Sequence, residues 1–476
     1  MTSLTVQRQI TVPRAIEDCF RYLVDFSTCE QWDPGVLRAT KLTPGKVAEG
    51  TRFDIKLNAP VRPISMTYHL DEMQFPERIH LSGTGNGFSV QDRIGLKANG
   101  KHSTTITYEA AMQFHWVPVV ARRLAVILAE RIGDKAMQGL TDSLIDKVVL
   151  PDSITPALGE KLILPAAANF TRRGYAHMPH AGLTHRMDGK KVVITGPTSG
   201  LGLAAASELA RLGAKLVLVG RDPAKMSRTV ADINSFAGFT EIDVFEADLS
   251  LIGNCKRICA DIVRQHPSID VLINNAGALP VTRQETSEGH ELSLAINMLT
   301  PSVMMHELLP ALSASNGRVI NVVSGGLYLQ PLNMADIQFS KRRYDGAAAY
   351  ARAKRATLTV TEMLAGSLCA RKVAFHAMHP GWAKTPGVEK SLPGFNRVMS
   401  PWLRDARMGA DTAVWLAIHP DLGPRDYPGH FWFDRELRPS DVLPSTRVSD
   451  DQKEELAAWL LDVCSLQSID FKLLAA

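Results

Sequence analysis

Tyr350 and Lys354 are the residues whose types and spacing most directly suggest chemistry. They stand four positions apart in the segment Tyr-Ala-Arg-Ala-Lys, and on a helix such residues share a face. A cation beside a phenol favours the phenolate, so we expect Lys354 to lower the pKa of Tyr350 from its usual value of about 10. A tyrosine tuned in this way can pass a proton to or from an alcohol near neutral pH.

A glycine turn lies upstream of this pair, between a strand of β-branched residues and an alanine-rich helix. Its glycines are Gly196, Gly200 and Gly202. Without side chains the backbone can approach a pyrophosphate, and the N-terminus of the helix stabilises the negative charge. The spacing alone also fits a tight structural turn, but the strand–turn–helix context favours a dinucleotide. The turn and the Tyr–Lys pair together predict hydride transfer between a nicotinamide and a carbonyl or alcohol carbon.

The residue after the second predicted strand bears on the choice of nucleotide. Gly220-Arg221 carries no acidic residue at the strand tip. NAD sites usually place Asp or Glu there, whereas an arginine accommodates the 2′-phosphate of NADP. We therefore favour NADP over NAD. Asp222, one residue further on, keeps NAD open, and Arg221 could also be a solvated surface residue.

Two further polar segments follow predicted strands. Asp248-Leu249 comes after the third strand, where the carboxylate could accept a hydrogen bond from an adenine amine. Asn274-Asn275-Ala276-Gly277 ends the fourth strand. Asparagine and glycine at that position favour a backbone that passes close to a ligand, although a simple turn remains an alternative.

From Gly189 onward, strand and helix patterns alternate, which is typical of a doubly wound parallel α/β sheet with ligands at the carboxyl ends of its strands. Ser449 and Gln452 form a capping-box pattern, which predicts a terminal helix docked on this sheet. The predicted strands are 191–195, 215–219, 241–246, 270–274, 317–323 and 373–378, and the predicted helices are 201–212, 251–265, 290–309 and 347–370.

The first part of the chain predicts a different, α+β domain. A strand pattern over 4–12 and helical spacing from Ile16 to Val24 precede further strand-like segments and one long helix. We interpret Asp25, Glu30, Asp33, His69 and Asp71 as surface or structural residues rather than acid–base groups. The strand-like segments are 36–42, 52–57, 65–73, 78–82, 89–96 and 104–112, turn signals include 58–60, 83–87 and 99–100, and the face of the long helix comprises Val120, Leu124, Ile127, Leu128, Leu140 and Leu144.

These patterns divide the chain into three parts. Residues 1–150 form the α+β domain, residues 151–187 a connector, and residues 188–476 the parallel-sheet domain with its terminal helix. The connector contains four spaced prolines and an exposed-looking segment at 171–175. Its length suggests that part of it packs on one of the domains.

The parallel-sheet part, over about residues 188–440, resembles the short-chain dehydrogenase/reductase superfamily. Within it, segments such as 322–326, 378–388, 409–412 and 429–434 resemble the dehydrogenase/reductase member 12-like branch, and 170–175 resembles that branch's N-terminal extension. The motifs that carry the resemblance are Thr195-Gly196-x-x-x-Gly200-x-Gly202, Asp248-Leu249, Asn274 to Gly277, Asn297, Ser324, Tyr350-x-x-x-Lys354 and Pro380-Gly381-x-x-x-Thr385.

The resemblance implies a role for each motif residue. Tyr350 would protonate the carbonyl oxygen, Lys354 would hold the nicotinamide ribose, Ser324 would hydrogen-bond the developing alkoxide and Asn297 would support a water in a proton relay. Thr385 would fix the carboxamide. The cofactor-binding set would be Thr195, Gly196, Thr198, Ser199, Gly200, Leu201, Gly202, Arg221, Asp248, Leu249, Asn275, Ala276, Gly277, Tyr350, Lys354, Pro380, Gly381 and Thr385.

Two segments of the same domain are expected to border the substrate. The long gap between Ser324 and Tyr350 resembles the insertion of the retinol-dehydrogenase-like subset. Tyr344 lies in this insertion but has no lysine four residues later, so it does not repeat the Tyr–Lys spacing. Residues 388–408 resemble the mobile lid of this fold, and their apolar composition suggests an apolar substrate. An ordinary core-packing helix pair is the alternative for that segment.

Residues 3–148 resemble the START-like, polyketide-cyclase-like (SRPBCC) superfamily, in which a curved sheet grips a long C-terminal helix around an apolar cavity. The resemblance depends on Val12-Pro13 before the first helix and on Trp32-Asp33-Pro34-Gly35-Val36 after it. It implies a smaller helix-grip domain that binds a hydrophobic ligand. A small α+β domain with a filled core is the alternative.

Composition narrows the class of protein. Apolar residues make up 45% and charged residues 21% of 476 residues, with a net charge of +4, which favours a globular protein and gives no reason to expect nucleic acid. We see no signal peptide and no membrane-spanning segment in the sequence. The scattered cysteines favour a cytoplasmic protein, and their spacing does not favour a metal site. Fold-level resemblance suggests a homodimer or homotetramer.

Two functions follow from these features. The first is an NADP-dependent oxidoreductase for a lipophilic ketone, aldehyde or alcohol, with an N-terminal domain that binds a hydrophobic ligand. The second is a lipid-binding or carrier protein whose dehydrogenase half senses the nucleotide and turns over little. Sustained turnover on any hydrophobic carbonyl or alcohol would exclude the carrier-only function.

Overall fold

The computed structural model describes residues 2–58, 63–114, 122–145, 168–176, 178, 182–367, 372–424 and 431–466. The chain forms two compact units. The first comprises Met1–Val148, Pro179–Arg186 and Ser235–Phe239, and the second comprises Val149–Met178, Met187–Asn234 and Thr240–Ala476. Among the described residues, no helix combines the length and the apolar character that a membrane span requires.

The first unit is an antiparallel sheet of seven strands in the order β1-β7-β6-β5-β4-β3-β2. Its strands are β1 Thr2–Val12, β2 Val36–Lys41, β3 Arg52–Leu57, β4 Ile64–Gln74, β5 Arg78–Gly85, β6 Phe88–Ala98 and β7 Thr104–Phe114. Its helices are Ile16–Val24, Cys29–Trp32 and Arg122–Ile145, with a 3-10 turn at Phe26–Thr28.

The long helix of this unit packs on the inner face of the sheet. Leu140 and Leu144 share one apolar core with Ile94 of β6 and Ile106 of β7. The helix approaches the short helix Cys29–Trp32 so closely that a Cβ on Gly139 would lie 2.1 Å from the carbonyl oxygen of Trp32. The helix-grip architecture expected from the sequence is therefore present.

The second unit is built on eight strands in the order β10-β9-β8-β11-β12-β13-β14-β15, of which all but the last are parallel. The order reverses between β8 and β11, which is the switch point where ligands bind in doubly wound sheets. The strands are β8 Lys191–Thr195, β9 Lys215–Gly220, β10 Ile242–Glu246, β11 Val271–Asn274, β12 Arg318–Val322, β13 Ala374–Met378, β14 Phe431–Phe433 and β15 Glu436–Arg438.

Helices cover both faces of this sheet. The predicted strands and most predicted helices are present, and the capping box of Ser449 and Gln452 is formed, with Leu456 and Leu460 buried in the core. The helices are Arg172–Tyr175, Gly200–Arg211, Pro223–Ala237, Ile252–Gln265, Leu292–Leu294, Thr300–Glu307, Leu309–Ala314, Gly346–Ala365, Pro386–Ser391, Pro393–Met399, Ala406–Ile418 and Asp450–Val463, with a π-helical turn at Ala295–Leu299 and 3-10 turns at Gly325–Leu329, Met334–Asp336, Pro420–Leu422 and Pro444–Thr446.

Several local expectations were wrong. The single helix predicted over 290–309 is broken by the π-helical turn and restarts with Pro301 in its first turn. The predicted helix over 347–370 ends at Ala365, and residues 368–371 lie outside the described part of the chain. The glycines at 83–87 do not all form a turn, because β5 continues through Gly85. The helices Pro223–Ala237 and Ala406–Ile418 were not predicted.

Candidate active site

The glycine turn lies at the carboxyl end of β8, at the switch point of the parallel sheet. Gly196 and Gly200 have φ angles of +65° and +55°, a region that side chains disfavour. Gly202 is required for another reason, because a Cβ there would lie 2.3 Å from the carbonyl oxygen of Gly196. The turn is therefore a bare backbone surface that opens a helix, and this fits a pyrophosphate group.

The turn is braced from the neighbouring strand. The backbone N–H groups of Asn275 and Ala276 both donate to Thr195 Oγ1 at 3.0 Å. The Asn275 amide nitrogen donates to the carbonyl oxygens of Thr195 and Gly196, also at 3.0 Å. Thr195 and Asn275 thus hold the turn in place with their side chains. Asn274 instead donates to Asn321 in the buried sheet at 2.8 Å.

The segment from Pro380 to Thr385 reaches the same turn. Thr385 Cγ2 lies 3.2 Å from the position of a Cβ on Gly200. Thr385 Oγ1 also accepts from the backbone N–H of Val388 at 3.3 Å and caps the helix Pro386–Ser391. Gly381 has a φ of +71° and donates its N–H to His379 Nδ1 at 3.0 Å. The structure therefore brings the predicted carboxamide-binding loop against the glycine turn.

Ser324, Tyr350 and Lys354 form one polar group, in which Lys354 is buried and the other two side chains are half-buried. Ser324 hydrogen-bonds to the Tyr350 phenol. Lys354 is 2% exposed, its Nζ lies 5.6 Å from the centre of the Tyr350 ring, and it donates to the carbonyl oxygen of Val322 at 2.7 Å. Ser324 begins the turn after β12, and the other two lie on the helix Gly346–Ala365.

The protonation of this group differs from the sequence-based expectation. Burial raises the pKa of Tyr350 to about 12, and the hydrogen bond with Ser324 only partly opposes this. Burial lowers the pKa of Lys354 to about 7. The expected lowering of the Tyr350 pKa by Lys354 is therefore wrong here, because the same desolvation that disfavours the phenolate also disfavours the ammonium.

Asn297 lies in the π-helical turn Ala295–Leu299, a helix defect that often marks functional positions. Its amide nitrogen donates to the Ala278 and Ser293 carbonyl oxygens at 2.7 and 2.8 Å. Its Oδ1 is buried without a partner among the described residues. Its own carbonyl oxygen accepts from Thr357 Oγ1 at 2.6 Å, which ties this turn to the helix that carries Tyr350 and Lys354.

Comparisons with known proteins identify the family of each part of the chain. A family model described as short chain dehydrogenase matches residues 190–394, and one described as polyketide cyclase / dehydrase and lipid transport matches residues 3–148. Dehydrogenase/reductase SDR family member 12 of Bos taurus is 36% identical over 271 residues, which cover 57% of this chain and 84% of that relative. The chain belongs to the short-chain dehydrogenase/reductase family.

This short-chain dehydrogenase/reductase is also similar to other known proteins. Retinol dehydrogenase 14 of Homo sapiens is 31% identical over 333 residues, which cover 65% of this chain and 95% of that relative. A crystal structure of a protein from Mycobacterium paratuberculosis is 25% identical with a TM-score of 0.48, covering 62% of this chain and 97% of that one. Membership makes the chain an NAD(P)-dependent oxidoreductase that acts on alcohol or carbonyl groups.

The remaining predicted cofactor residues of this dehydrogenase differ in exposure. Arg221 is exposed at the end of β9. Asp248 is exposed and accepts from the backbone N–H of Ser250 at 3.0 Å, whereas the Leu249 side chain is buried in the core. Thr198 is half-buried, and Ser199 is exposed and makes no side-chain cap at the helix it precedes. Leu201, at the second position of that helix, is half-buried.

The sequence missed a clamp that fixes the loop of Pro380 and Gly381. Arg404 is 1% exposed and donates to the Phe170 carbonyl oxygen at 3.0 Å and to Asp434 Oδ2 at 2.8 Å. The Phe170 carbonyl oxygen also accepts from the Trp382 N–H at 2.7 Å. Residues 168–176 are thus part of the dehydrogenase unit, and the exposed-looking segment is only partly exposed, since Thr171 is buried.

The two segments expected to border the substrate are the insertion between Ser324 and Tyr350 and residues 388–408, and they differ in their contacts. In the insertion, the Tyr344 phenol donates to Glu291 Oε1 at 2.8 Å. The two short helices at Pro386–Ser391 and Pro393–Met399 bury no residue, so the core-packing alternative is wrong for them. Val398 and Trp402 are 65% and 52% exposed. This segment therefore presents apolar side chains that the rest of the described chain does not cover.

Proposed function

We propose that this chain is an NADP(H)-dependent oxidoreductase that interconverts a lipophilic ketone or aldehyde and its alcohol, and that its first unit binds a hydrophobic ligand. The observation that carries the proposal is the polar group of Ser324, Tyr350 and Lys354 in the same unit as a braced glycine turn. When bound, the nicotinamide supplies a hydride to the carbonyl carbon or accepts one from the alcohol carbon.

In this proposal Tyr350 handles the proton and Ser324 positions the oxygen. With a pKa of about 12, the phenol is neutral at physiological pH and carries the proton that reduction of a carbonyl requires. The Ser324 hydroxyl has one proton, which it gives to that phenol in the protein alone and can turn toward a substrate oxygen on which negative charge develops. In this proposal, both hydroxyl groups thus act as donors to the same substrate oxygen.

Lys354 and Asn297 support this pair. Lysine has three donors, and Lys354 uses one on the Val322 carbonyl oxygen, so the others can bind ribose hydroxyls. The partnerless Oδ1 of Asn297 can accept from a water that replenishes the proton of Tyr350. These roles use groups that are otherwise buried without full hydrogen bonding, which is costly unless a ligand or water completes them.

NADP is favoured over NAD by the side chains after β9. Asp222 Oδ1 accepts from the backbone N–H of Lys225 at 3.0 Å, and Asp222 also pairs with Lys225 Nζ at 3.4 Å. Its carboxylate is thereby engaged in capping the helix Pro223–Ala237 rather than held ready for ribose hydroxyls. Arg221 is exposed at the strand tip and can meet a 2′-phosphate.

A lipophilic substrate is favoured by the segment after Thr385. Its exposed Val398 and Trp402 supply apolar surface that can be covered by an apolar molecule. Retinol dehydrogenase 14 carries in its name an alcohol of this kind. The first unit adds a sheet and helix around an apolar core that includes Phe26 and Phe53, in keeping with a hydrophobic ligand.

The decisive variant is Tyr350→Phe, which removes one hydroxyl. With a panel of long-chain ketones, aldehydes and alcohols, we expect NADPH-linked turnover to fall about 10³-fold because the proton donor is lost. Nucleotide affinity should remain within a factor of about two. Tyr22→Phe, which removes a phenol in the other unit, is the matched control and should keep full turnover. Unchanged turnover in Tyr350→Phe would refute the proposal.

A further inference from the structure

A second polar group lies on the inner face of the antiparallel sheet. It comprises Tyr68 on β4, Asp92 on β6 and Tyr108 on β7. Asp92 is 3% exposed, and both phenols hydrogen-bond to its carboxylate. A carboxylate inside an apolar core is expensive to maintain, so its presence calls for a reason.

Strand register explains how the three side chains meet. Tyr68 lies opposite Gly83, and Gly83 lies opposite Val90, two residues before Asp92. A Cβ on Gly83 would lie 2.7 Å from Tyr68 Cζ, so the missing side chain leaves room for the Tyr68 ring over β5. The glycine therefore lets a phenol from β4 reach a carboxylate on β6.

Tyr108 approaches from the other side. It pairs with Ile94, which is two residues after Asp92, while Asp92 itself pairs with Ala110. The adjacent strand β7, and β4 on the far side of β5, thus each contribute a phenol to the same carboxylate. We call Asp92, Tyr68 and Tyr108 the Asp92 centre.

The charges around the Asp92 centre are negative. Burial raises the pKa of Asp92 to about 7, the two phenols oppose this, and the Asp33 carboxylate adds to it. The pKa of Asp33 is itself raised to about 6 by burial. Cys29, on the short helix, is the other titratable neighbour, and burial raises the pKa of its thiol. Among the described residues, no cation contributes to the pKa of Asp92.

A separate observation indicates that the centre faces a ligand. Trp32 is 4% exposed, and its indole N–H has no acceptor among the described residues. Its ring packs edge-on against Tyr108, with ring centres 6.1 Å apart. On the same inner face, Ala110 and Met112 of β7 remain only partly buried although they adjoin the core. A buried donor without a partner beside an incompletely covered face is what a missing polar ligand atom would leave.

We propose that the Asp92 centre is the polar end of a ligand site for an uncharged apolar molecule that bears a carbonyl or hydroxyl oxygen. The inference deepens the proposed ligand-binding role of the first unit and rests on it. A ligand oxygen can accept from the Trp32 N–H and from the protonated Asp92 carboxyl, and a hydroxyl ligand can also donate to a phenol oxygen.

The same geometry excludes other ligand classes. A carboxylate or phosphate head group would meet Asp92 and Asp33 with no compensating cation from the described part of the chain, which is unfavourable in an apolar interior. A pure hydrocarbon would leave the Trp32 N–H unsatisfied. The site should therefore select ketones and alcohols over fatty acids of equal chain length. This is the same chemical class that we propose for the dehydrogenase unit.

The test uses the full chain and isothermal titration with two probes of equal chain length, the methyl ketone dodecanone and laurate. We expect dodecanone to bind at least about tenfold more tightly than laurate, as one unpaired buried charge costs at least that much. Asp92→Leu and Tyr108→Phe should each weaken dodecanone binding to the first unit by about tenfold. Asp71→Leu, which changes an exposed carboxylate on β4, is the matched control and should not.

The outcomes separate this inference from the proposed enzyme. NADPH turnover is measured on the same samples. Unchanged dodecanone affinity in both Asp92→Leu and Tyr108→Phe, or laurate binding as tight as that of dodecanone, overturns the inference even if turnover persists. Binding that depends on Asp92 in a chain that turns over no carbonyl leaves the Asp92 centre standing and removes the oxidoreductase.

Discussion

The two units bury titratable groups of opposite charge, and burial moves both toward neutrality. In the parallel-sheet unit the pKa of Lys354 is lowered to about 7, and in the antiparallel unit the pKa of Asp92 is raised to about 7. Lys354 lies next to one phenol, that of Tyr350, and Asp92 lies next to two, those of Tyr68 and Tyr108. The comparison shows that desolvation, rather than the neighbour's charge, sets the protonation state at both sites.

The sites differ in how the chain assembles them. Tyr350 and Lys354 come from one helix, four residues apart, whereas Tyr68, Asp92 and Tyr108 come from three strands. Local spacing therefore encodes the first site and register encodes the second. Another buried carboxylate, Asp434, is paired with Arg404 through two hydrogen bonds. That arrangement is structural, whereas Asp92 has two phenols and, among the residues that the structure describes, no cation beside it. This contrast supports a ligand at the Asp92 centre.

The largest expected effect concerns the stability of the antiparallel unit. Burial raises the pKa of Asp92 from its ordinary value of 3.8 to about 7, so the folded state holds the proton more tightly than the unfolded state. The stability that this raised pKa contributes is therefore fully present below about pH 4. It is lost as the pH rises to 7 and does not change further above that. The free energy of unfolding falls by about 4 kcal/mol in total. Asp92→Asn, which cannot ionise, should remove most of this slope.

Native-state hydrogen exchange of the amides of β4 to β7 measures that stability without requiring the two units to unfold together. The control is Asp71→Asn, which should keep the slope. If wild-type protection is the same at about pH 5 and about pH 8 after correction for intrinsic exchange, Asp92 is not held near neutrality and the comparison between the units fails.

The parallel-sheet unit was largely predictable because its determinants are local. Glycine spacing after a β-branched strand, the Tyr350–Lys354 spacing and the capping box of Ser449 and Gln452 each depend on a few consecutive residues. The protonation of Tyr350 was not predictable, because spacing gives proximity but not burial. The π-helical turn that holds Asn297 was also missed, although Pro301 marks the point where the helix restarts.

The Asp92 centre was missed for a different reason. Glycines at 83–87 were interpreted as a turn, which hid the inward-facing position of Gly83 in β5. A signal was nevertheless present, because Asp92 shares the alternation of Val90, Ile94 and Leu96 and so points to the apolar face. The meeting of Asp92 with Tyr68 and Tyr108 depends on strand register, which a single sequence does not specify.

A smaller effect is expected on the preference for NADPH over NADH, which should depend only on residues of the parallel-sheet unit. Arg221→Ala removes the proposed partner of the 2′-phosphate, and we expect NADPH affinity to fall about tenfold while NADH affinity changes little. Arg228→Ala, which changes another exposed arginine on the following helix, is the control. Equal losses for both nucleotides, or a loss with Arg228→Ala alone, would assign the preference to another residue.

The most direct test of the dehydrogenase site is a titration of Tyr350 itself. The signal is the near-ultraviolet absorbance of the phenolate in the wild-type chain minus the same absorbance in Tyr350→Phe. The titration is carried out with and without NADP⁺. We expect the phenol to titrate at about 12 in the protein alone and at a lower pH with NADP⁺, whose cationic ring favours the phenolate. A pKa near 10 that NADP⁺ does not move would contradict a buried proton donor beside the nucleotide.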